Sequence, residues 1–433
     1  MASIGHEVLG VDIDDSKISL LNSGRAWFHE PGLDEMLGEN IQAGRLRFTT
    51  SFAEAAEFSS VHFVGVATPG HEDGSYDLSQ LHAVISSLVP HLRGASVLIG
   101  KSTVPPGTAA ALQAKADSLL LPDELARLEV VWNPEFLREG CAVEDTLRPD
   151  RIVAGVVSAG AAKIVKEIYQ PLTDAGVPLV ITDLPTSELA KGAANAFLAT
   201  KISFINAMAD ICAITDADVS ALARSLGMDP RIGSAFLKAG LGYGGACLPK
   251  DVRGLGTFAS EKGARNAANL LAAVDGVNSS RGGQVVDLVR AAVGDVSGRR
   301  IAMWGAAFKS GTDDVRDSVA LSVANELHGL GAEVTVYDPM ASSNALVASP
   351  ELGYANSAEA ALRDADVLVI VTAWPEFAQV SPVKVGESVK RKTVIDACQG
   401  IDVAAWQAAG WRVSSLTGVL AGRSLMDPTS AVA

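Results

Sequence analysis

Val8-Leu9-Gly10-Val11-Asp12-Ile13-Asp14 is a short apolar run that closes on acids. Strands of a parallel sheet are buried on both faces by helices, so they read as such runs rather than as alternating ones. At the carboxyl end of the second strand of a dinucleotide fold, an acid hydrogen-bonds the adenosine ribose and repels the extra phosphate of NADP. The run therefore points to NAD, with Asp12 on the ribose and Lys17 reaching the same sugar or the pyrophosphate. A strand-end Asp is also an ordinary turn former, so the flanking pattern has to decide.

That pattern repeats. Glu7–Ile13, Val61–Val66, Ser96–Gly100 and Leu128–Trp132 read as strands, each followed by a loop and a helical segment such as Asp77–Leu92 or Gly107–Leu119. Arg151–Val157 and Pro178–Thr182 add edge strands. From about Ser187 the chain turns to long helices, with Glu188–Ile211 strongly apolar and little strand signal before Arg300. Strands then return at Arg300–Trp304, Glu333–Tyr337, Val367–Val371 and Thr393–Asp396, with a helix over Ser318–Leu330, and the tail after Ser424 reads as frayed. Strands alternating with helices give an α/β class: two Rossmann-like, doubly wound parallel-sheet domains joined by a helical middle segment. The expected divisions are 1–186 for the cofactor, 187–282 for a helical, dimerising centre, and 283–433 for a second nucleotide-binding domain.

The cofactor half carries a difficulty. A GxGxxG turn should follow a first strand and precede the ribose acid by roughly 20 residues, yet only eleven residues precede Asp12. Met1-Ala-Ser-Ile-Gly-His-Glu7 reads as the last turn of the intervening helix. The expectation is an incomplete domain whose first strand and glycine loop are missing. Further loops still support it: Val66-Ala-Thr68-Pro69 and Lys101-Ser-Thr103-Val-Pro105-Pro-Gly107 follow apolar strands. Ligands sit at the carboxyl ends of strands in open α/β sheets, so the Thr68 and Thr103 hydroxyls are expected to face the nucleotide, unless they are plain turn residues.

Composition excludes whole classes. With 35 basic against 50 acidic residues, the net charge of −15 argues against general binding to nucleic acid or anionic membrane. Cys141, Cys212, Cys247 and Cys398 show no CxxC spacing, so neither a zinc site nor a disulfide framework is expected. No leader pattern and no apolar run of membrane-spanning length stands out, which points to a soluble cytoplasmic protein with no metal.

One further stretch carries chemistry. Leu241-Gly-Tyr-Gly-Gly-Ala-Cys247-Leu-Pro-Lys250-Asp251 puts a cysteine after a glycine-rich turn and before a charged helix start. Glycines let backbone approach a ligand closely, and a helix N-terminus favours a thiolate. Lys250 adds to that effect, and Asp251 falls one turn from the sulfur. The bland alternative is a buried apolar cysteine beside a loop. Lys191 and Asn195, four apart in a helical stretch, share a face and can stabilise an oxyanion together. Glu135 and Glu139 also have the spacing of one helical face.

Taken together, Asn133-Pro-Glu135-Phe-Leu-Arg-Glu139-Gly, Lys191-Gly-Ala-Ala-Asn195, the Cys247 stretch and Phe308-Lys309-Ser-Gly-Thr312-Asp-Asp-Val-Arg316 resemble motifs of the UDP-glucose/GDP-mannose dehydrogenases, over Val8 to about Gly400. The resemblance implies two successive NAD-dependent oxidations of a sugar C6 alcohol to a carboxylate, as from UDP-glucose to UDP-glucuronate. Cys247 would hold a thiohemiacetal and then a thioester, Lys191 and Asn195 would stabilise the oxyanion, and Glu135 would be the base for thioester hydrolysis. Thr103 and Asp251 would hold the water that takes the first proton. Cofactor contacts would come from Asp12, Lys17, Thr68, Thr103, Glu139, Lys250 and Arg316. The sugar nucleotide would meet Glu135, Phe136, Leu137, Lys191, Asn195, Phe236, Leu237, Gly244, Phe308 and Lys309, and Arg231 would be lent to a neighbouring subunit of a homodimer or higher oligomer. Arg231 also reads as a surface arginine, and the Thr312–Arg316 run as a helix cap with an internal ion pair. GDP-mannose or a UDP-N-acetylhexosamine remains an alternative substrate, and a nucleotide-sugar binder without turnover an alternative function.

Overall fold

The computed structural model describes residues 1–120 and 126–417. The frayed tail expected after Ser424 lies outside them. Two compact units form: Met1–Asn195 with Arg253–Ala268, and Ala196–Val252 with the chain from Asn269 onward.

In the first unit, β1 (Val8–Val11) pairs in parallel with β2 (Leu46–Thr49), Val8 opposite Leu46 and Val11 opposite Thr49. Gly10 is required there, because a Cβ would stand 2.4 Å from the Phe48 ring. A second sheet holds β3 (Val61–Val64), β4 (Ala95–Gly100), β5 (Arg127–Trp132), β6 (Ile152–Gly155) and β7 (Leu179–Thr182), in that order. All its pairs are parallel except one antiparallel bridge, Trp132 to Gly155. The single sheet expected from the sequence is thus divided: among the described residues β1 pairs with β2 and not with β3. Helices cover both faces of the larger sheet. Leu98 and Val130 pack with Leu81, Ile85 and Leu112 on one side, while Val97, Ile99 and Val131 pack with Val165 and Tyr169 on the other. This is the period-two alternation of a strand buried on both sides.

The second unit contains β8 (Arg300–Trp304), β9 (Glu333–Tyr337), β10 (Gly353–Tyr354), β11 (Val367–Ile370), β12 (Thr393–Asp396) and β13 (Arg412–Ser415). Their order, β10-β9-β8-β11-β12-β13, reverses direction at β8, and all pairs are parallel. That is the strand order of a dinucleotide-binding fold. Trp304 stacks on Phe377 and meets Trp406 edge-on in its core.

The long helices are Leu184–Thr215 and Arg265–Val293. The first is a correction to the sequence reading, since its length and hydropathy do meet the requirement for crossing a membrane. Alanines supply much of that hydropathy. Ser203 and Asn206 on this helix are buried and hydrogen-bonded within protein, to Val274 O and Gly240 N, and its Ile205, Ala209 and Cys212 join a core with Val219 and Leu237.

Candidate functional site

In the first unit the strand ends β4 and β5 bring together a group of charged and amide side chains. Asn133 follows β5 and is buried; its side-chain carbonyl accepts from Lys101 Nζ at 3.0 Å and from the Tyr169 hydroxyl, and its amide donates to Val153 O at 2.7 Å. Thus pinned, the turn leads to Glu135, whose N–H donates to Lys101 O. The Glu135 carboxylate pairs with Lys191 Nζ at 3.1 Å and accepts from Leu137 N–H. Lys191 and Asn195 are both buried on the Leu184–Thr215 helix, one turn apart as expected. Lys191 is therefore no solvated surface lysine. Burial pushes Lys101 down to about 8, against the opposing attraction of Glu135.

Glu135 and Glu139 do not share a helical face, because residues 133–138 are irregular and Gly140 is in a turn. Pro134 keeps only Asn133 out of the helical region, and the loop beyond it is held from outside. Glu30 accepts from the Gly140 and Ala142 N–H groups, and Arg138 pairs with Asp145. The Phe136 ring has the Arg151 guanidinium 3.9 Å and the Lys191 ammonium 5.7 Å from its centre, while Leu137 is exposed.

The expected cofactor residues of this unit behave unequally. Asp12 closes β1, accepts from Asp14 N–H and lies 3.6 Å from Lys17 Nζ, and both side chains are partly open to solvent. A strand-end carboxylate in that setting fits a ribose diol. Thr68 departs from expectation: it is buried and its hydroxyl donates to Thr103 O at 2.8 Å, so only its lone pairs are left for a ligand. Thr103 is half-buried in the loop after β4, and Glu139 is half-buried beside Gly140.

In the second unit Cys247 is exposed and in no disulfide. Its carbonyl accepts from Asp251 N–H at 2.9 Å, the first bond of the Leu248–Glu261 helix, so the thiol does stand at a helix start. The apolar-packing alternative is overturned. Lys250 Nζ contacts the buried Asp251 carboxylate at 2.7 Å. Upstream, the Gly240–Gly245 turn is clasped by groups the sequence reading missed. Asn206 accepts from Gly240 N–H, Arg281 Nε donates to Gly240 O, and Asn278 bonds both the N–H and the carbonyl of Tyr243. The available signal was polar residues at core positions, since Asn278 and Arg281 share a face with Val274 and Val285. Gly244 is fixed by contact: a Cβ there would meet Asp317 O at 2.3 Å.

A cavity of about 270 Å³ opens beside this turn, lined by Phe236, Lys238, Gly244, Phe308, Lys309 and Cys398 among others. Phe236 holds a left-handed backbone, φ 63°, which is costly for a bulky residue and frequent at functional sites. Leu237 is buried behind it. Arg231 is exposed and grips Asp229 with three hydrogen bonds. Arg316 pairs with Asp314, while its carbonyl receives Gly245 N–H. The ion pair of the alternative reading exists, but the following helix is capped by Ser318, not Thr312.

Comparison with known proteins agrees with this layout. Residues 1–173 match the NAD binding domain of the UDP-glucose/GDP-mannose dehydrogenase family, 185–280 its central domain and 302–403 its UDP binding domain. The chain is 40% identical over 418 residues to UDP-glucose 6-dehydrogenase TuaD of Bacillus subtilis (strain 168), covering 96% of this chain and 89% of that protein. It is 42% identical over 400 residues to a UDP-glucose 6-dehydrogenase of Rhizobium meliloti (strain 1021), covering 91% and 90%. Among solved structures, a UDP-glucose dehydrogenase from Pyrobaculum islandicum superposes with TM-score 0.87 at 33% identity, covering 96% of this chain and 94% of the other. A UDP-D-ManNAc dehydrogenase from Pyrococcus horikoshii gives 0.85 at 27%, covering 96% and 95%. Matched in order along all three parts, the chain belongs to the UDP-glucose/GDP-mannose dehydrogenase family and is an NAD-dependent dehydrogenase.

Proposed function

We propose that this chain oxidises UDP-glucose at C6 to UDP-glucuronate, in two oxidations joined by a covalent bond to Cys247. The supporting observation is an exposed thiol at a helix start, directly after a glycine turn whose backbone is clasped on both sides. Bound NAD supplies the hydride acceptor for each oxidation. After the first, the Cys247 sulfur adds to the aldehyde carbon, and the oxygen becomes the hydroxyl of a thiohemiacetal. Loss of hydride and of the hydroxyl proton then leaves a thioester. Water attacks that carbonyl, the carbon–sulfur bond breaks, and the carboxylate leaves with the thiol restored. Covalent capture also prevents loss of the aldehyde.

The remaining roles follow from side-chain chemistry and from the family resemblance. Lys191 and Asn195 donate hydrogen bonds to the oxygen as it becomes an alkoxide. Glu135 takes the proton of the hydrolytic water, and Thr103 and Asp251 hold the water that takes the alcohol proton. Asp12 and Lys17 hold the adenosine end of NAD, with Thr68, Glu139, Lys250 and Arg316 as further cofactor contacts. Phe236, Leu237, Gly244, Phe308 and Lys309 enclose the sugar nucleotide, with Phe136 and Leu137 at the Glu135 turn. Residues 1–186, 187–282 and 283–433 divide the work into cofactor binding, association and nucleotide-sugar binding.

Following NADH at 340 nm with UDP-glucose, GDP-mannose and a UDP-N-acetylhexosamine tests the assignment. Two NADH per UDP-glucose is the expected yield, with much slower turnover of the others. Preference for the N-acetylhexosamine would move the substrate assignment toward the Pyrococcus horikoshii relative.

The family's central helix also has an unpartnered face. Phe197, Phe204 and Ile211 recur every seven residues on the Leu184–Thr215 helix and are 66%, 48% and 50% exposed. Seven residues return a helix to nearly the same side, so the three form one apolar stripe that a second copy covers. Light scattering is expected to give twice the 44.8 kDa chain mass, and a Phe197→Glu, Phe204→Glu pair to halve it. A monomeric parent protein would reject the dimer.

A further inference from the structure

We propose that Lys101 is a positioning residue for Glu135, a second positive charge near that carboxylate that governs how readily it takes a proton from water. The proposal rests on the reading of Glu135 as the hydrolytic base. Lys101 stands directly after β4, and its ammonium is fixed on the Asn133 side-chain carbonyl at 3.0 Å. Its own carbonyl receives the Glu135 N–H, so one residue holds both the backbone and the electrostatic surroundings of that acid. Asn133 has no freedom to move away, being tied also to Tyr169 from the Ala159–Asp174 helix and to Val153 on β6.

The charged groups in this pocket come from several elements. Lys101 comes from the end of β4, Glu135 from the loop after β5, Lys191 from the Leu184–Thr215 helix, and Arg151 from just before β6 on the ring of Phe136. The phenol of Tyr169 is pushed up by burial and stays neutral. Lys191 is in direct contact with Glu135, whereas Lys101 acts through its charge.

Burial brings Lys101 down to about 8, while Glu135 pulls the other way. At neutral pH the ammonium is mostly present, and it is lost as pH rises through 8. A proton arriving on Glu135 destroys its attraction to every nearby cation. With Lys101 neutral that loss is smaller, and proton transfer from water becomes easier. Wild-type turnover limited by thioester hydrolysis therefore steps up across this range.

The test compares turnover against pH in the whole enzyme with its K101M and K101R variants. Wild type is expected to show an inflection near pH 8, worth roughly three- to tenfold, as one pK unit of charge coupling allows. K101M should lose the inflection and run at the wild-type alkaline level already at neutral pH, and K101R should stay at the lower level throughout. K101M should melt no lower than wild type, because it removes a buried ammonium, whereas a merely structural lysine would lower the melting temperature. An inflection kept in K101M overturns the proposal. An independent readout is the Lys101 Cε resonance in protein carrying 13C-lysine, assigned by its absence in K101M. Its titration midpoint should lie near pH 8 and move lower in E135Q; a midpoint unmoved by E135Q overturns the charge coupling. Full turnover by E135Q would instead sink the reading of Glu135 as base, and the resonance would still report whether the two groups interact.

Discussion

Replacing Cys247 by alanine is expected to lower complete oxidation by on the order of a thousandfold or more, since no other group replaces the covalent step. Nucleotide-sugar binding should survive, because the cavity beside the glycine turn does not include Cys247 in its lining. The decisive quantity is NADH released per sugar. It should fall from two to one at most, with aldehyde trapped by an added hydrazine. Serine at the same position should behave alike, as a hydroxyl there is a far weaker nucleophile than a thiolate. Undiminished formation of two NADH by the alanine variant would remove the thioester from the mechanism.

Lys191→Met is expected to produce the second largest loss, about a hundred- to a thousandfold in kcat, the usual consequence of removing one oxyanion donor. KM for the nucleotide sugar should change little, because the donor matters most once the oxygen carries charge. The side chain is 5% exposed, so methionine keeps most of the packing while deleting the charge. Arginine should not rescue, since its planar fork cannot repeat a single 3.1 Å contact with Glu135 in this enclosed space. A loss confined to KM would transfer Lys191 from oxyanion stabilisation to simple binding.

Both predictions concern residues visible in the sequence, and the reason is local. Cys247 was found because a glycine turn and a helix start are properties of adjacent residues, and the Asp251–Cys247 backbone bond bears this out. β8, β9 and β12 match the sequence reading residue for residue: β8 and β12 are buried on both faces almost throughout, while β9 alternates buried Val334 and Val336 with more open positions. β2 escaped because Leu46-Arg47-Phe48-Thr49 has only two apolar residues and no fully buried position, and β10 because it has only two residues. The supposed Glu135–Glu139 helix face failed for the opposite reason: spacing alone was trusted in a loop whose shape is set by distant groups, such as Glu30 on the Gly140 and Ala142 N–H groups.

By itself, then, the sequence determined the α/β layers, the strand-end acid Asp12 and the helix-start position of Cys247, because periodicity, turn chemistry and helix starts are written in neighbouring residues. Tertiary structure alone decided that Lys101 reaches Asn133 across 32 positions, that Arg281 grips Gly240 across 41, and that Lys191 is buried against Glu135. Those contacts come from crossovers that carry distant strand ends and helix faces together. The resulting burial, which alone makes an ordinary lysine titrate near 8, exists only once the chain has packed.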